Sequence, residues 1–299
     1  MRGASLGIAL KLGATLSFSL MYVVIRLAGA VPLGEVVFFR AFFALVPLFA
    51  TAVFTVGPKA VVRTRRLGVH FLRSILGVGS MFLNFAALKL IPLAALTGLS
   101  FVMPIFATVL AALILREQVG PWRGLAVVVG FGGVLLMTGP LGVGGLAGGG
   151  ASLGTVLAIL AALLSAFVVI FIRQMSTTER SETIVFYFMS FTAIAGALTM
   201  IWWRAPLTAS ATLWLVLCGL LGGIGQICMT YSYRFAEPSL LAPFDYVAMI
   251  WASLLGLAFF GEIPERRVIF GSAVVIASGL FIFWRERRLH KAIIEPLPT

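Results

Sequence analysis

The chain has 299 residues, of which 61% are hydrophobic and 11% are charged, and its formal net charge at pH 7 is +12. Its mean hydropathy is +1.11. A soluble domain is about 45–50% apolar and about 25% charged, so a soluble fold of this composition would leave most of its apolar surface in water. Lipid must therefore replace water around much of the chain. Since the alternating pattern of membrane β-strands is absent, we predict an all-α integral membrane protein.

Ten apolar segments follow one another along the chain, and we number them segments 1 to 10. They span residues 5–26, 34–56, 69–88, 92–115, 121–138, 152–172, 183–203, 211–233, 238–260 and 267–284. A helix needs about 20 apolar residues to cross about 30 Å of hydrocarbon, and segment 4 carries no charge over its 24 positions. Pro92, Pro121 and Pro238 begin three of the segments, where a first helical turn tolerates the missing N–H. We therefore predict ten transmembrane helices.

The start of the chain also resembles a signal peptide, with a basic residue, an apolar stretch and a candidate cleavage site at Ala28-Gly29-Ala30. Lys11 interrupts the apolar stretch, however, and segment 1 takes part in the repeat described below. We therefore expect this segment to stay in the mature protein.

Basic residues are distributed unequally between the two sides of the predicted membrane. With the N-terminus in the cytoplasm, 14 of the 22 Lys and Arg residues fall at cytoplasmic ends and loops and five at external ones, while Lys11, Arg40 and Arg73 lie within helices or at their edges. This bias follows the positive-inside rule. It also explains the net charge without a nucleic-acid partner. We predict a multi-pass protein of the bacterial inner (plasma) membrane, with lipid around it and both termini cytoplasmic.

The two halves of the sequence repeat each other. The matched pairs are Arg26 and Arg173, Glu35 and Glu182, Gly77 and Gly223, Pro92 and Pro238, and Glu117 and Glu262, at offsets of 145 to 147. We predict a first five-helix repeat over 1–138, a Gly-rich linker over 139–151, and a second repeat over 152–299 that ends in a basic tail. Because five is an odd number, the second repeat must be inverted, as in many secondary transporters whose substrate site lies between the repeats.

Three stretches carry a resemblance to a known family: EVVFFRAFFALVPLF (35–49), residues 72–137, and EPSLLAPFDYVAMIWASLLGLAFFGEIP (237–264). The sequence resembles the drug/metabolite transporter superfamily, EamA-type, over nearly its whole length. The resemblance implies a ten-helix secondary transporter of small metabolites. By general similarity, the chain looks most like the YddG-type amino-acid exporters within it.

Polar and aromatic residues form stripes on several predicted helices. The candidate substrate-binding residues are Ser80, Met81 and Asn84 in segment 3, Thr97, Ser100 and Phe101 in segment 4, Gln226 and Thr230 in segment 8, and Tyr246 in segment 9. An offset of 146 maps Ser80 onto Gln226, and Ser100 onto Tyr246, so both halves would present equivalent stripes to a central cavity. The alternative is close helix packing through small residues. Since the stripes hold no cluster of acids or bases, a zwitterion such as an amino acid is the favoured substrate.

Charged residues inside predicted helices need a separate explanation, because they are costly in lipid. Asp245 and Lys11 lie at similar depths from the inner side. They form either a structural ion pair or a site where a titrating Asp245 couples proton entry to substrate exit. Arg40 is interpreted as a packing anchor in preference to a ligand. Arg73 is expected to extend its charge to the inner surface.

Other chemistry finds little support in the sequence. No lysine is followed by Ser or Thr, as a P-loop requires, and no His, Cys and acid cluster has metal-ligand spacing. We predict no enzyme activity, no cofactor and no metal. The predicted function is export of amino acids or related small metabolites by alternating access, with a monomer favoured and protons as the alternative coupling partner. The alternatives are an uptake permease or drug-efflux carrier of the same fold and, more remotely, a channel.

Overall fold

A computed structural model describes residues 2–55, 57–64, 66–114, 121–138, 150–175, 178–203, 205–235, 241 and 244–294. Within these ranges the chain is helical and contains no strand. The helices are α1 (Arg2–Leu27), α2 (Leu33–Thr55), α3 (Pro58–Val62), α4 (Leu67–Leu88), α5 (Leu93–Ser100), α6 (Met103–Ile114), α7 (Pro121–Thr138), α8 (Gly150–Met175), α9 (Ser181–Trp202), α10 (Ala209–Phe235), α11 (Val247–Phe260) and α12 (Arg266–Ile294). Nearly all of the predicted linker lies outside the described residues.

Seven stretches of these helices are long and apolar enough to cross a membrane. They are Ser5–Leu27, Leu33–Thr51, Leu67–Leu88, Leu93–Leu110, Ser152–Ile172, Glu182–Trp202 and Ala209–Ser232, and the shorter apolar helix Val247–Phe260 follows them. The prediction of an all-α membrane protein is confirmed. The count of ten transmembrane helices stays a prediction, since α7 and α12 are not among the seven.

Segment 4 is not one helix, although the sequence predicted a continuous one over 92–115. Helix α5 ends at Ser100 and α6 begins at Met103, while Phe101 and Val102 form a turn between them. Pro104 explains the break, because proline removes one helical hydrogen bond and disfavours helical geometry in the residue before it. The amide of Val102 bonds Leu99 O at 3.1 Å instead, a tighter turn.

Segment 9 is interrupted at the matching place. Tyr246 is a turn residue, and α11 begins immediately after it at Val247. The offset of 146 places Tyr246 on Ser100, the last residue of α5. The two interruptions therefore occur within one or two residues of equivalent positions in the two halves of the chain.

The helices pack in a pattern that maps onto itself when the two halves are exchanged. Helix α1 packs against α10 and α11, and its counterpart α8 packs against α4 and against both pieces of segment 4. Likewise, α2 packs against α10, and its counterpart α9 packs against α4. Helices α2 and α9 are counterparts that contact each other, so this contact is its own equivalent, and the same holds for α7 and α12. Every main contact between the halves therefore has an equivalent.

Small residues bring α10 and α9 close to α2. A Cβ on Gly196 would lie 2.6 Å from the amide nitrogen of Phe38, and one on Gly223 would lie 3.0 Å from the Cα of Ala44. Gly219 and Gly223 of α10 thus face α2, where they permit backbone approach as in other membrane helix pairs.

Candidate functional site

Lys11 and Asp245 are brought together from opposite ends of the sequence. The Lys11 Nζ atom lies 2.7 Å from Asp245 Oδ1. The Lys11 side chain is 1% exposed, whereas that of Asp245 is 44% exposed. A buried ammonium group in a membrane helix requires a partner, and Asp245 supplies a carboxylate from the residue before the turn in segment 9. The pair therefore fastens α1 to the start of α11.

Two aromatic residues meet where segments 4 and 9 are interrupted. The rings of Phe101 and Tyr246 lie edge to face, with centroids 5.1 Å apart and planes at 70°. The Tyr246 hydroxyl also lies against Gly279 of α12, where a Cβ would collide with it. The two interruptions therefore face each other across the boundary between the halves.

Two half-buried residues, one in each half of the chain, keep polar atoms without partners among the described residues. Asn84 Oδ1 in α4 and Trp251 Nε1 in α11 are both buried and accept or donate no hydrogen bond within the described residues. Leaving such an atom unpaired costs about 1–3 kcal/mol. Met81, one turn before Asn84, packs against the same hydrophobic core as Phe101 and Met249. Asn84 and Trp251 are therefore available to hydrogen-bond a ligand.

The predicted hydroxyl residues are instead used within the protein. Ser80 bonds Ala161 O at 2.9 Å and Ser165 Oγ at 2.7 Å, which ties α4 to α8. The other hydroxyls donate within their own helices: Thr97 to Leu93 O at 2.9 Å, Ser100 to Thr97 O at 2.6 Å, and Thr230 to Gln226 O at 2.8 Å. Their oxygens keep acceptor capacity only.

A separate narrow cleft lies between α2, α9 and α10. Its polar lining residues are Thr51, Glu182, Gln226, Thr230 and Tyr231, and Ala44 and Met189 are among its apolar ones. Of the predicted binding residues, the structure places Gln226 and Thr230 in this cleft. It places Phe101 and Tyr246 at the interrupted segments and Ser80 in the α4–α8 contact. The predicted binding residues that the structure describes therefore lie in at least two separate places.

A second ion pair, which sequence reasoning missed, joins the halves at their other end. Arg26 Nη1 lies 2.6 Å from Glu262 Oε1, and the Arg26 guanidinium lies 4.1 Å from the centroid of the Phe260 ring. The other oxygen of Glu262 accepts the amide of Leu93, at the start of α5, at 3.0 Å. The repeated Arg26 and Glu262 positions were the signal that could have found this pair.

Arg40 and Arg73 are buried deep among the helices. Arg40 Nη1 donates to the sulfur of Met189 at 2.9 Å, and the Arg73 guanidinium lies 3.9 Å from the centroid of the Phe188 ring. Arg73 is only 7% exposed, so the prediction that its charge extends to the surface is wrong. The Phe188 ring on α9 contacts the Arg73 guanidinium, and the sequence of α4 alone could not predict this contact between helices.

Polar contacts also tie the ends of helices from the two halves. His70 Nε2 lies 3.7 Å from Glu179, whose other carboxylate oxygen accepts the Thr64 hydroxyl at 2.8 Å. At the opposite end, the Glu35 carboxylate accepts the amide of Ala205 at 2.8 Å. Within the first half, Lys89, just past α4, donates to Val31 O, and burial lowers the pKa of its amino group.

Within the described residues, no three His, Cys, Asp or Glu side chains could hold a metal ion together.

An all-helical membrane protein whose two halves meet at interrupted segments has the architecture of a carrier for small molecules. The chain belongs to the EamA-like transporter family, whose model matches residues 5–139 and again residues 152–284. It is therefore a multi-pass membrane transporter of small molecules and not an enzyme. The narrower resemblance to YddG-type exporters stays a prediction.

Several relatives of known activity align over most of the chain. A pseudopaline exporter, CntI, from Pseudomonas aeruginosa is 26% identical over 91% of this chain and 94% of its own. A riboflavin transporter from Rhizobium johnstonii is 29% identical over 93% and 91%, and an S-adenosylmethionine uptake transporter from Rickettsia prowazekii is 27% identical over 85% and 84%. A crystal structure at 20% identity superposes with a TM-score of 0.64, covering 95% of this chain and 99% of the other, so it shares the fold.

Proposed function

We propose that this transporter exports amino acids or related small zwitterionic metabolites across the bacterial inner membrane by alternating access. The observation that carries the proposal is the meeting of the two interrupted segments, with Phe101 against Tyr246, at the boundary between the halves. Interrupted helices near the midplane expose backbone groups and terminal dipoles, which bind polar substrates in many secondary transporters. The interchangeable contacts of the two halves support the rocking motion that alternating access requires.

The first proposed substrate contacts come from Asn84 and Trp251, whose polar atoms lack partners within the described residues. Asn84 and Trp251 would hydrogen-bond the substrate at the boundary between the halves, where Met81, Phe101 and Tyr246 supply apolar contact. Gln226 and Thr230 would contact it in the cleft beside α2. Neutral amides with aromatic and thioether neighbours favour a zwitterion with a variable side chain over a polyanion.

The proposed topology has ten transmembrane helices in two inverted repeats, with both termini in the cytoplasm. It can be tested on a Cys218→Ala, Cys228→Ala background with single cysteines at Arg63 and Ser152. An impermeant thiol reagent applied to intact cells should label position 152 and should reach position 63 only after permeabilisation. Labelling of position 63 in intact cells would contradict the topology.

The transport proposal is tested with purified protein in proteoliposomes and a panel of labelled amino acids, with and without a pH gradient. We expect flux that saturates with substrate and shows counterflow for at least one amino acid, because a carrier exposes its site to one side at a time. Liposomes without protein are the control. Flux that rises linearly with concentration would indicate a channel, and no flux for any amino acid would contradict the proposed substrate class.

Uptake is a second candidate direction, because named relatives include both an exporter and uptake transporters. Accumulation of the best panel substrate should be compared in intact cells and in everted vesicles under the same gradient. Export predicts accumulation in everted vesicles, whereas accumulation in intact cells alone would reverse the proposed direction.

A further inference from the structure

Arg40 and Arg73 carry positive charge in the interior, and no carboxylate of the described residues pairs with them. The two side chains are 6% and 7% exposed, and neither makes an ion pair within the described residues. Arg40 Nε and both Nε and Nη1 of Arg73 are buried and have no hydrogen-bond partner there. Unpaired ionised groups in a membrane interior are costly and mark functional sites by default.

The two guanidinium groups converge on consecutive residues of one helix. Arg73 lies over the ring of Phe188, and Arg40 donates to the sulfur of Met189. Arg40 comes from α2 and Arg73 from α4 in the first half, whereas α9 belongs to the second. The Arg40 guanidinium therefore lies where α2 contacts α9, its counterpart in the other half.

The cleft between α2, α9 and α10 is lined by two neighbours of Arg40. Met189 and Ala44 both line that cleft; Met189 is the hydrogen-bond partner of Arg40, and Ala44 lies one helical turn beyond Arg40 on α2. A thioether sulfur is a weak acceptor on a flexible side chain. A carboxylate is a much stronger acceptor for a guanidinium, with which it forms paired, charge-assisted hydrogen bonds.

We propose that Arg40, with Arg73 beside it, binds a carboxylate group of the transported substrate, which enters through the cleft and displaces the Met189 sulfur. The proposal rests on the proposed function and narrows it to substrates that carry a carboxylate. Glu182 lines the same cleft, and its negative charge disfavours a dianionic phosphate more than a zwitterion. Gln226 and Thr230 would contact the neutral parts of the substrate.

The test uses benzoate and its neutral analogue benzamide as probes, with thermal unfolding of the full-length protein in detergent as the readout. We expect benzoate to raise the unfolding temperature saturably and benzamide to leave it unchanged at equal ionic strength. Arg40→Gln should weaken benzoate binding about tenfold or more, because a charge-assisted bond is lost. Arg73→Gln should weaken it less, since that group only adds to the field at the site.

The control is Arg180→Gln, which removes the same charge from an exposed position and should leave benzoate binding unchanged. Without ligand, Arg40→Gln should unfold no lower than the parent, because an unpaired buried charge has been removed. A purely structural Arg40 would instead give a lower unfolding temperature and an undiminished response to benzoate. Should Arg40→Gln fail to fold, Met189→Leu provides the second variant. Removing the competing sulfur should tighten benzoate binding, and unchanged or weaker binding would contradict the inference.

Equal responses to benzoate and benzamide, or an undiminished benzoate response in Arg40→Gln, would overturn the inference. A response to inorganic phosphate without one to benzoate would overturn the carboxylate class. Saturable amino-acid flux with an unchanged KM in Arg40→Gln would overturn this inference and leave the proposed function standing. Arg40-dependent benzoate binding without flux of any amino acid would support this inference and contradict the amino-acid proposal.

Discussion

The interior charges of this transporter fall into two groups with opposite surroundings. Along α1, Lys11 and Arg26 each meet a carboxylate, that of Asp245 at 2.7 Å and that of Glu262 at 2.6 Å. Beside α9, Arg40 and Arg73 meet a thioether and an aromatic ring instead. The first group is neutralised by the protein itself. The second has no carboxylate partner within the described residues. The difference separates charges that hold the halves together from charges that we propose to bind an anionic ligand.

The largest predicted effect concerns the Lys11–Asp245 pair and its unequal burial. Asp245→Asn leaves the fully buried Lys11 charge without this carboxylate, and we expect a loss of about 3 kcal/mol in the free energy of unfolding. Lys11→Met leaves a carboxylate that is 44% exposed, and water reduces the expected loss to about 1 kcal/mol. Denaturant unfolding in detergent, followed by circular dichroism, measures both.

The double variant Lys11→Met, Asp245→Asn is the control for this prediction. It removes both charges, so we expect it to recover most of the stability that Asp245→Asn loses. No recovery would show that the pair does not act as a unit. The proposed alternative role, proton coupling by Asp245, predicts that Asp245→Asn keeps substrate exchange but loses its acceleration by a pH gradient in proteoliposomes.

A smaller effect is expected at the other pair along α1. Glu262→Gln removes the charge that faces Arg26 but keeps an oxygen for the amide of Leu93. Since both side chains are about one-fifth exposed and Arg26 also contacts the Phe260 ring, we expect a loss of about 1 kcal/mol. Arg26→Gln and the double variant complete a double-mutant cycle in thermal or denaturant unfolding. A coupling energy indistinguishable from zero would place this pair among ordinary surface contacts.

The overall architecture could be predicted from the sequence because lipid imposes simple rules. Apolar length reports membrane helices, and matched residues at a nearly constant offset report a repeat, both without tertiary information. The interruption of segment 4 was visible as Pro104, but apolar periodicity alone does not register a proline inside an uncharged run. Predicting the turn at Tyr246 would have required recognising the interruption of segment 4 first and then mapping it onto segment 9 with the repeat offset.

The site was harder to predict. The spacing of polar residues shows which of them share one face of a helix, but it does not show which other helix packs against that face. Ser80 lies on the polar stripe of α4, yet α8 covers that part of the face and uses its hydroxyl. Gln226, its equivalent in the repeat, lines a cleft beside α2 instead. Arg40 and Arg73 were interpreted as a packing anchor and a surface charge, because only the tertiary structure shows that no described carboxylate pairs with them.

The smallest effects are expected at neutral groups, where the same contrast between partnered and unpartnered atoms recurs within one turn of α4. Ser80→Ala removes a hydroxyl that bonds α8, so it should lower the free energy of unfolding by about 1 kcal/mol and leave the apparent substrate affinity unchanged. Asn84→Leu removes an oxygen with no partner among the described residues, so the free energy of unfolding should be unchanged. If that oxygen bonds substrate, its loss should raise the KM severalfold, since one neutral hydrogen bond contributes about 0.5–1.5 kcal/mol. Gln226→Leu should act like Asn84→Leu.

Thermal unfolding and the KM for the best amino acid of the flux panel separate residues that stabilise helix packing from residues that bind substrate. An unchanged KM in both leucine variants would assign Asn84 and Gln226 to helix packing, and a raised KM in Ser80→Ala would return Ser80 to the substrate site.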